Sequence, residues 1–466
     1  MTESEILYKT VIKNGFCIGC GSCTSLPDSP FKIEKDDFGN IIANPIKNKL
    51  KKSKEKVLDI CPFSENVKNE DEIGNKFFPN NEKNDKLGYI LQSYAGYVKE
   101  GDFRKNGSSG GVGKWIGFKL MQQNIIDKYF QLDSNHNSNT NDELFYYKLY
   151  NSHDKIIEGS KAAYYPTTLN DVFKYISENE GRYGITGVPC FIKAIRLRML
   201  KDKVLSERIK FTLGIICGGM KSANQSKFIG WQMGIKPNDV YKIDFRQKHE
   251  TKPASEKVYK VWSRINKSEK HKLANDLKGT DYGAGYFKPK ACDYCDDVVG
   301  ETADVSVGDA WMDKYSSDPK GNNLVIVRSE KFKTIIDKSI NKAELQLDKI
   351  SDEKAIASQT GGFRHRREGL AHRINKLKKK NEWHPKKRVK IKDYKIPKKR
   401  KKIYDVREKI SIKSHEYFLK ALQNDNLNLF YNKMKPLERR YKIAKYGYPI
   451  PKSIKEPIKR IVSNFR

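Results

Sequence analysis

Four cysteines constrain this chain more than any other feature. Cys17, Cys20 and Cys23 are spaced two residues apart in CIGCGSC, and a fourth, Cys61, precedes Pro62. Thiolates at that spacing on a tight turn converge on one centre. Gly19 and Gly21 let the backbone curl so that its N–H groups face sulfur. A close triple followed by Cys-Pro is the ligand pattern of a [4Fe–4S] cluster, with the fourth ligand displaced along the chain. TSLPDSP follows Cys23, so the nearby fourth cysteine of a two-cluster ferredoxin is absent, and one cluster is the simplest count. Zinc, which normally takes two separated pairs, and free thiols are the alternatives.

The remaining 400-odd residues are enough for two or three domains in a chain of 466. Hydrophobic residues make up 37 %, low but sufficient for a core. With 91 Lys+Arg against 57 Asp+Glu, the net charge is +34, which favours solubility and polyanionic partners. No run of about 18 apolar residues predicts a membrane span. MTESEILYKTVIKNGF lacks the basic start and apolar stretch of a secretory signal, so the expected compartment is the cytoplasm. There thiols stay reduced, and eight cysteines point to metal ligation or chemistry rather than disulfides.

The pattern divides the chain into four parts: a cysteine-rich segment 1–65, a polar linker 66–90, a core 91–370 and a basic extension 371–466. SYAGYV, GRYGITGVP and KFTLGIICGG read as strands, the last two ending in Gly-rich loops. VGKWIGFKLMQQ and FIKAIRLRML carry apolar residues at helical spacing. This alternation predicts an α/β core behind a ferredoxin-like N-terminal segment. DVSVGDAW reads as a further strand. Residues 373–402 are dense in Lys and Arg and read as a surface-wrapping or poorly ordered stretch. Helical amphipathicity returns over 403–435.

Two Gly-rich turns and a second cysteine group carry the remaining chemistry. Ser108-Ser109-Gly110-Gly111 lies between a strand and a helix, where backbone N–H groups and hydroxyls suit phosphate; a plain helix start explains it equally well. Thr186-Gly187-Val188-Pro189-Cys190 ends a strand and opens a helix bearing Lys193. Cys190, Cys217, Cys292 and Cys295 form either a second cluster or zinc site, or a mixture of core thiols and a lone pair.

The order of these motifs resembles the β subunit of coenzyme F420-reducing hydrogenase and its dehydrogenase relatives. The resemblance spans residues 15–63, 94–122, 181–200, 211–222, 243–248 and 290–312, and RHRREGLAHR (364–373) is similar to the family's basic segment near the end of the core. It implies an oxidoreductase with one or two [4Fe–4S] clusters and FAD. FAD is expected near Ser108, Ser109, Gly110, Gly111, Thr186, Gly187 and Pro189. Lys193 and Arg246 are candidate partners of its pyrophosphate or of an acidic cofactor tail, and Asp309 could polarise a substrate group or cap a helix. All four later cysteines match the second-cluster ligands of two-cluster relatives. The chain departs from the pattern at Phe191, where many relatives have Gln, and at Gly218-Gly219, where they often have His-Gly; both bear on the substrate.

The expected donor is a ferredoxin or another electron-transfer subunit, with self-association open, and the acceptor takes hydride, coenzyme F420 being one such acceptor. Two other readings compete. One is an electron relay in a larger biosynthetic complex with no F420 site of its own. The other is a basic nucleic-acid binder using Arg373 to Lys402, which no readout motif supports.

Overall fold

The β-branched and apolar runs meet in one eight-stranded sheet. The structure, a computed structural model, describes residues 1–135 and 143–447. Two short hairpins come first: β1 (Phe31–Lys35) with β2 (Ile41–Pro45), and β3 (Glu82–Asn84) with β4 (Gly88–Ile90). The main sheet then takes β5 (Gln92–Val98), β6 (Lys128–Ser134), β7 (Phe145–Tyr150), β8 (Tyr183–Gly187) and β9 (Ile209–Ile215). β10 (Val240–Gln247), β11 (Val258–Ser263) and β12 (Glu269–Leu273) form a separate antiparallel sheet. β13 (Val305–Asp309), β14 (Asn323–Val327) and β15 (Leu345–Ile350) return to the main one, whose order is β15-β5-β14-β13-β9-β8-β6-β7.

β13, β9, β8 and β6 run parallel. β5 is two antiparallel steps from β13 and so points the same way. Five carboxyl ends therefore open on one edge, the edge at which ligands bind in open α/β sheets. β8 and β14 are buried along their whole length and β9 and β13 along most of it, which is why they read as apolar runs rather than alternating ones. The helix Val112–Gln122 buries Trp115, Ile116 and Leu120 in one core with Tyr94, Leu213, Val305 and Val325. The helix Pro189–Lys201 buries Ile192, Ile195 and Met199 in another, with Ile185 and Ile209. The α/β architecture is the one expected.

Three segments differ from the sequence reading. Residues 1–65 have no core of their own: Leu7, Val11, Phe16, Phe31 and Phe63 share one with Phe173, Ile192 and Leu370. Within 66–90, read as a linker, lie the helix Glu70–Phe77 and the β3–β4 hairpin. Asn69 accepts from the amides of Asp71 and Glu72 while the Glu72 side chain accepts from Asn69, a capping box. The basic stretch from 373 runs largely over the surface, as one of its two readings has it, but several of its charges are buried. Arg373 is 1 % exposed in the helix Glu368–Lys379, and Lys387 and Arg388 are buried further on. The helical extension begins earlier than expected, at Lys398, because Lys and Arg are good helix formers. Lys398–Gln423 pairs with Leu427–Tyr446 around Phe418 and Phe430, which meet Phe228 and Phe287 from the body. No helix among the described residues is long and apolar enough to cross a membrane.

Candidate metal centres and cofactor cleft

The N-terminal cysteines come together as their spacing predicts. Cys17, Cys20, Cys23 and Cys61 line one small cavity with Val11, Ile18 and Phe63. Gly19 and Gly21 have φ of +65° and +85°, the left-handed conformation the turn requires. The turn is also clamped from outside: a Cβ on Gly21 would lie 2.3 Å from the Asn170 amide nitrogen. Arg198 braces the loop by donating to the Ser22 carbonyl (2.9 Å) and the Ser25 hydroxyl (2.8 Å). The amides of Gly19 and Ala43 point at Cys17 Sγ, at 3.5 and 3.3 Å. Burial pushes the Cys61 thiol up to about 12 and raises Cys17, Cys20 and Cys23 as well.

The four later cysteines also gather, although they come from three separate stretches of chain. Cys190 opens the helix Pro189–Lys201, Cys217 follows β9, and Cys292 and Cys295 lie at the turn Lys290–Tyr294. Burial raises the Cys190 thiol, and Cys295, Cys292 and Cys217 raise it further, because all four share one neighbourhood. Amides again point at sulfur: Gly219 at Cys217 and Met220 at Cys292, both at 3.3 Å. Arg366 closes the group, donating to the Cys217 carbonyl at 3.0 Å. Burial opposes its charge, but the four cysteines, Cys295 foremost, outweigh that and hold it protonated. All eight cysteines are free of disulfides. Among the described residues, no three His, Cys, Asp or Glu side chains are placed to share a single metal ion.

A cleft of about 740 Å³ runs along the carboxyl edge of the sheet. Ser108, Ser109 and Gly111 enter it from the loop after β5, Thr186 and Gly187 from β8, and Asp309 from β13. Its volume is that of a small-molecule or cofactor site. Cys217 lines the cleft and belongs to the second cysteine group, so the two sites adjoin. The second group adjoins the first in turn: the Phe16 ring, next to Cys17, meets the Tyr294 ring, next to Cys295, at 4.9 Å.

Three expected residues do not line the cleft. Gly110 turns its back on it, with no room for a Cβ beside the Gly96 carbonyl (2.5 Å). Pro189 starts its helix behind the cleft wall. Lys193 points elsewhere, into a buried ion pair with Glu70 at 3.1 Å, which corrects its reading as a cofactor contact. The serines are also more committed than their sequence suggests. The Ser109 hydroxyl donates to the Asn322 carbonyl (2.8 Å), and the Ser108 oxygen accepts from the Ala162 amide (2.7 Å).

The positive charge comes instead from Lys248, Lys114 and Arg246, all within the stretches that carry the resemblance, Arg246 being the one already expected. Lys248 donates to the carbonyls of Ser109 (2.7 Å) and Arg104. Burial, then Arg104 and Lys257, push its ammonium down to about 7. Lys114, in the cleft wall, donates to the carbonyls of Ile157 and Asn106 and is pushed down to about 8, by burial first. Arg246 pairs with Asp309 at 2.6 Å through Nη2, while its buried Nε has no partner. Tyr164 and Tyr282 meet edge to face at 4.8 Å on the same wall.

Residues 93–174 match the N-terminal model of the coenzyme F420 hydrogenase/dehydrogenase beta subunit family, and residues 180–353 match its C-terminal model. The chain belongs to this family. The resemblance read from the cysteine and glycine motifs is thereby confirmed. Among curated members of the F420 hydrogenase/dehydrogenase beta family, the chain is 26 % identical to the coenzyme F420 hydrogenase subunit beta of Methanococcus voltae. That match covers 37 % of this chain and 54 % of the relative, so the chain spans about half the length of that protein. It is 24 % identical to an uncharacterized protein of Methanocaldococcus jannaschii, over 49 % of this chain and 73 % of the relative. Among solved structures, a chain of the F420-reducing [NiFe] hydrogenase complex from Methanosarcina barkeri aligns at TM-score 0.48 and 14 % identity, covering 65 % of this chain and 98 % of that one.

Proposed function

We propose that the protein is an iron–sulfur flavoprotein oxidoreductase with two [4Fe–4S] clusters, one on Cys17, Cys20, Cys23 and Cys61 and one on Cys190, Cys217, Cys292 and Cys295, and with FAD in the cleft. It would pass electrons between a ferredoxin-like or partner-subunit donor and a hydride acceptor, for which coenzyme F420 is the candidate given by the family name. We place it in the cytoplasm, where its thiols stay reduced. The observation that carries this reading is the position of Cys217, which belongs to the second cysteine group and also forms part of the cleft wall.

The residues suit these groups. Burial raises seven of the eight thiols, so holding them as thiolates calls for a cation that compensates the charge. Amides aimed at sulfur are the means by which a fold stabilises and tunes a thiolate-held cluster. A single zinc ion needs four ligands about 2.3 Å from one point. Cys17, Cys20 and Cys23 come from one close triple, a spacing unusual for zinc, and share a cavity with Cys61.

When bound, the clusters carry single electrons and the flavin one or two, so together they couple one-electron carriers to hydride chemistry. The protein's own residues bind and orient. Lys114 and Lys248 supply positive charge beside the Ser108–Ser109 loop for a pyrophosphate. Arg246 lines the cleft with its guanidinium fixed by Asp309, and its Nε is a donor without a protein partner. Tyr164 and Tyr282 offer aromatic walls for a ring system.

Anaerobic purification followed by iron, sulfide and flavin quantification tests the proposal. About eight iron atoms and one flavin per chain support it. Stoichiometric zinc with no flavin would overturn it.

A further inference from the structure

Residues 383–388 lie outside both family matches and run from one cysteine group to the other. Trp383 meets the Phe16 ring at 5.3 Å, and Phe16 in turn meets Tyr294. Lys387 is buried, its side chain 4 % exposed. Its ammonium stands 4.5 Å from the Phe63 ring centroid, two residues past Cys61, and 3.7 Å from Asp296 Oδ1, next to Cys295. Arg388 takes up the surrounding acids: Glu301 at 2.6 Å, Asp71 at 2.7 Å, and Glu70 and Asp296 at 3.4 Å.

The contact between Lys387 and Asp296 is too long for a hydrogen bond, and Asp296 Oδ1 has no hydrogen-bond partner. Asp296 already has Arg388, whose backbone amide and Nε both donate to Oδ2. Burying an ammonium with only a loose partner is costly. That cost is offset if the ammonium faces further negative charge. A [4Fe–4S] core on four thiolates has net negative charge, and each reduction adds one more. The ammonium thus stands beside a near neighbour of one ligand in each group, Phe63 by Cys61 and Asp296 by Cys295.

We propose that residues 383–388 form a strap between the two cluster sites, in which Lys387 is a shared positive charge that makes both clusters easier to reduce. This inference rests on the two-cluster reading above. Lys387 is a positioning residue in this scheme: it touches no substrate and acts through the field it sets at both centres.

The test uses the full-length protein, purified anaerobically, with iron quantified and cluster midpoints read by EPR-monitored redox titration. In K387M both midpoints move to more negative potential, and the reduced fraction at a fixed potential falls on the order of tenfold. K387R restores the parent values, which a purely structural loss would not reproduce in the potentials. If K387M does not fold or load, D296N reads the same field with the opposite sign: it unmasks the ammonium and moves both midpoints to more positive potential. Iron-loaded variants with unchanged midpoints overturn the strap's role and leave the clusters standing. A parent protein without cluster iron overturns both.

Discussion

Gly21→Ala tests whether the N-terminal turn is as tightly specified as its geometry implies. Two costs follow from the structure. A φ of +85° is unfavourable for any L-residue with a Cβ, by about 1–2 kcal/mol. The new methyl would also lie 2.3 Å from the amide nitrogen of Asn170 and 2.7 Å from its Cα and from Thr168 Oγ1. Overlaps of that kind in a packed interior cost about 1–3 kcal/mol. Asn170 cannot simply move away, because it begins a helix whose Val172, Phe173 and Ile176 share a core with Cys20 and Cys23. The sum, about 2–5 kcal/mol, falls on the loop carrying three of the four ligands. The expected result is loss of the first cluster, with iron falling from about eight to about four per chain, and a melting temperature lower by several degrees. Gly234→Ala is the control: its φ is +83° but no atom lies within 4 Å of the added Cβ, so it carries the backbone cost alone. A Gly21→Ala protein with the parent's iron content and melting temperature would refute the clamp.

Three further outcomes follow from the same geometry. Arg388→Met strands Glu70, Asp296 and Glu301 in the interior and should cost about 3–5 kcal/mol in urea unfolding; a change under 1 kcal/mol would mean these acids find other partners. Cys217→Ser should remove about half the iron and also shift the flavin absorption bands, since Cys217 faces the cleft; iron loss with an unaltered flavin spectrum argues against the adjacency. Lys248 is about half protonated near pH 7, and a bound anion favours its charged form, so affinity for FAD should weaken as pH rises from 7 towards 9. Calorimetry at pH 8 in two buffers of different ionisation enthalpy should show proton uptake on binding, and none would count against Lys248 as a pyrophosphate partner.

Much of this was legible in the sequence where the signal is local. The strands ending at Gly187 and Ile215 are mainly apolar because both faces are covered along most of their length, and the glycines that follow mark the turns at the ligand edge. The cysteine triple dictates its own turn through Gly19 and Gly21. What escaped was charge pairing over long distances. Glu70 sits in a polar stretch that reads as solvent-facing, yet its partners are Lys193 and Arg388, both far along the chain. For the same reason the basic run around 387 reads as a solvated tail: nothing local reveals that Asp296 and Glu301 wait for it. One signal was present and local, the Asn69-x-x-Glu72 capping box announcing a helix inside the supposed linker.

The strap also bears on the order in which the protein is made. All eight cysteines precede residue 383, so on a ribosome both sets of ligands emerge before the segment that lies between them. Until Lys387 settles over Phe63, the flank of the first site is open to whatever delivers iron and sulfide. Arrival of the strap brings a buried cation that is best accommodated once the thiolates carry their metal. Synthesis thus presents both sets of ligands before the basic segment that closes over them.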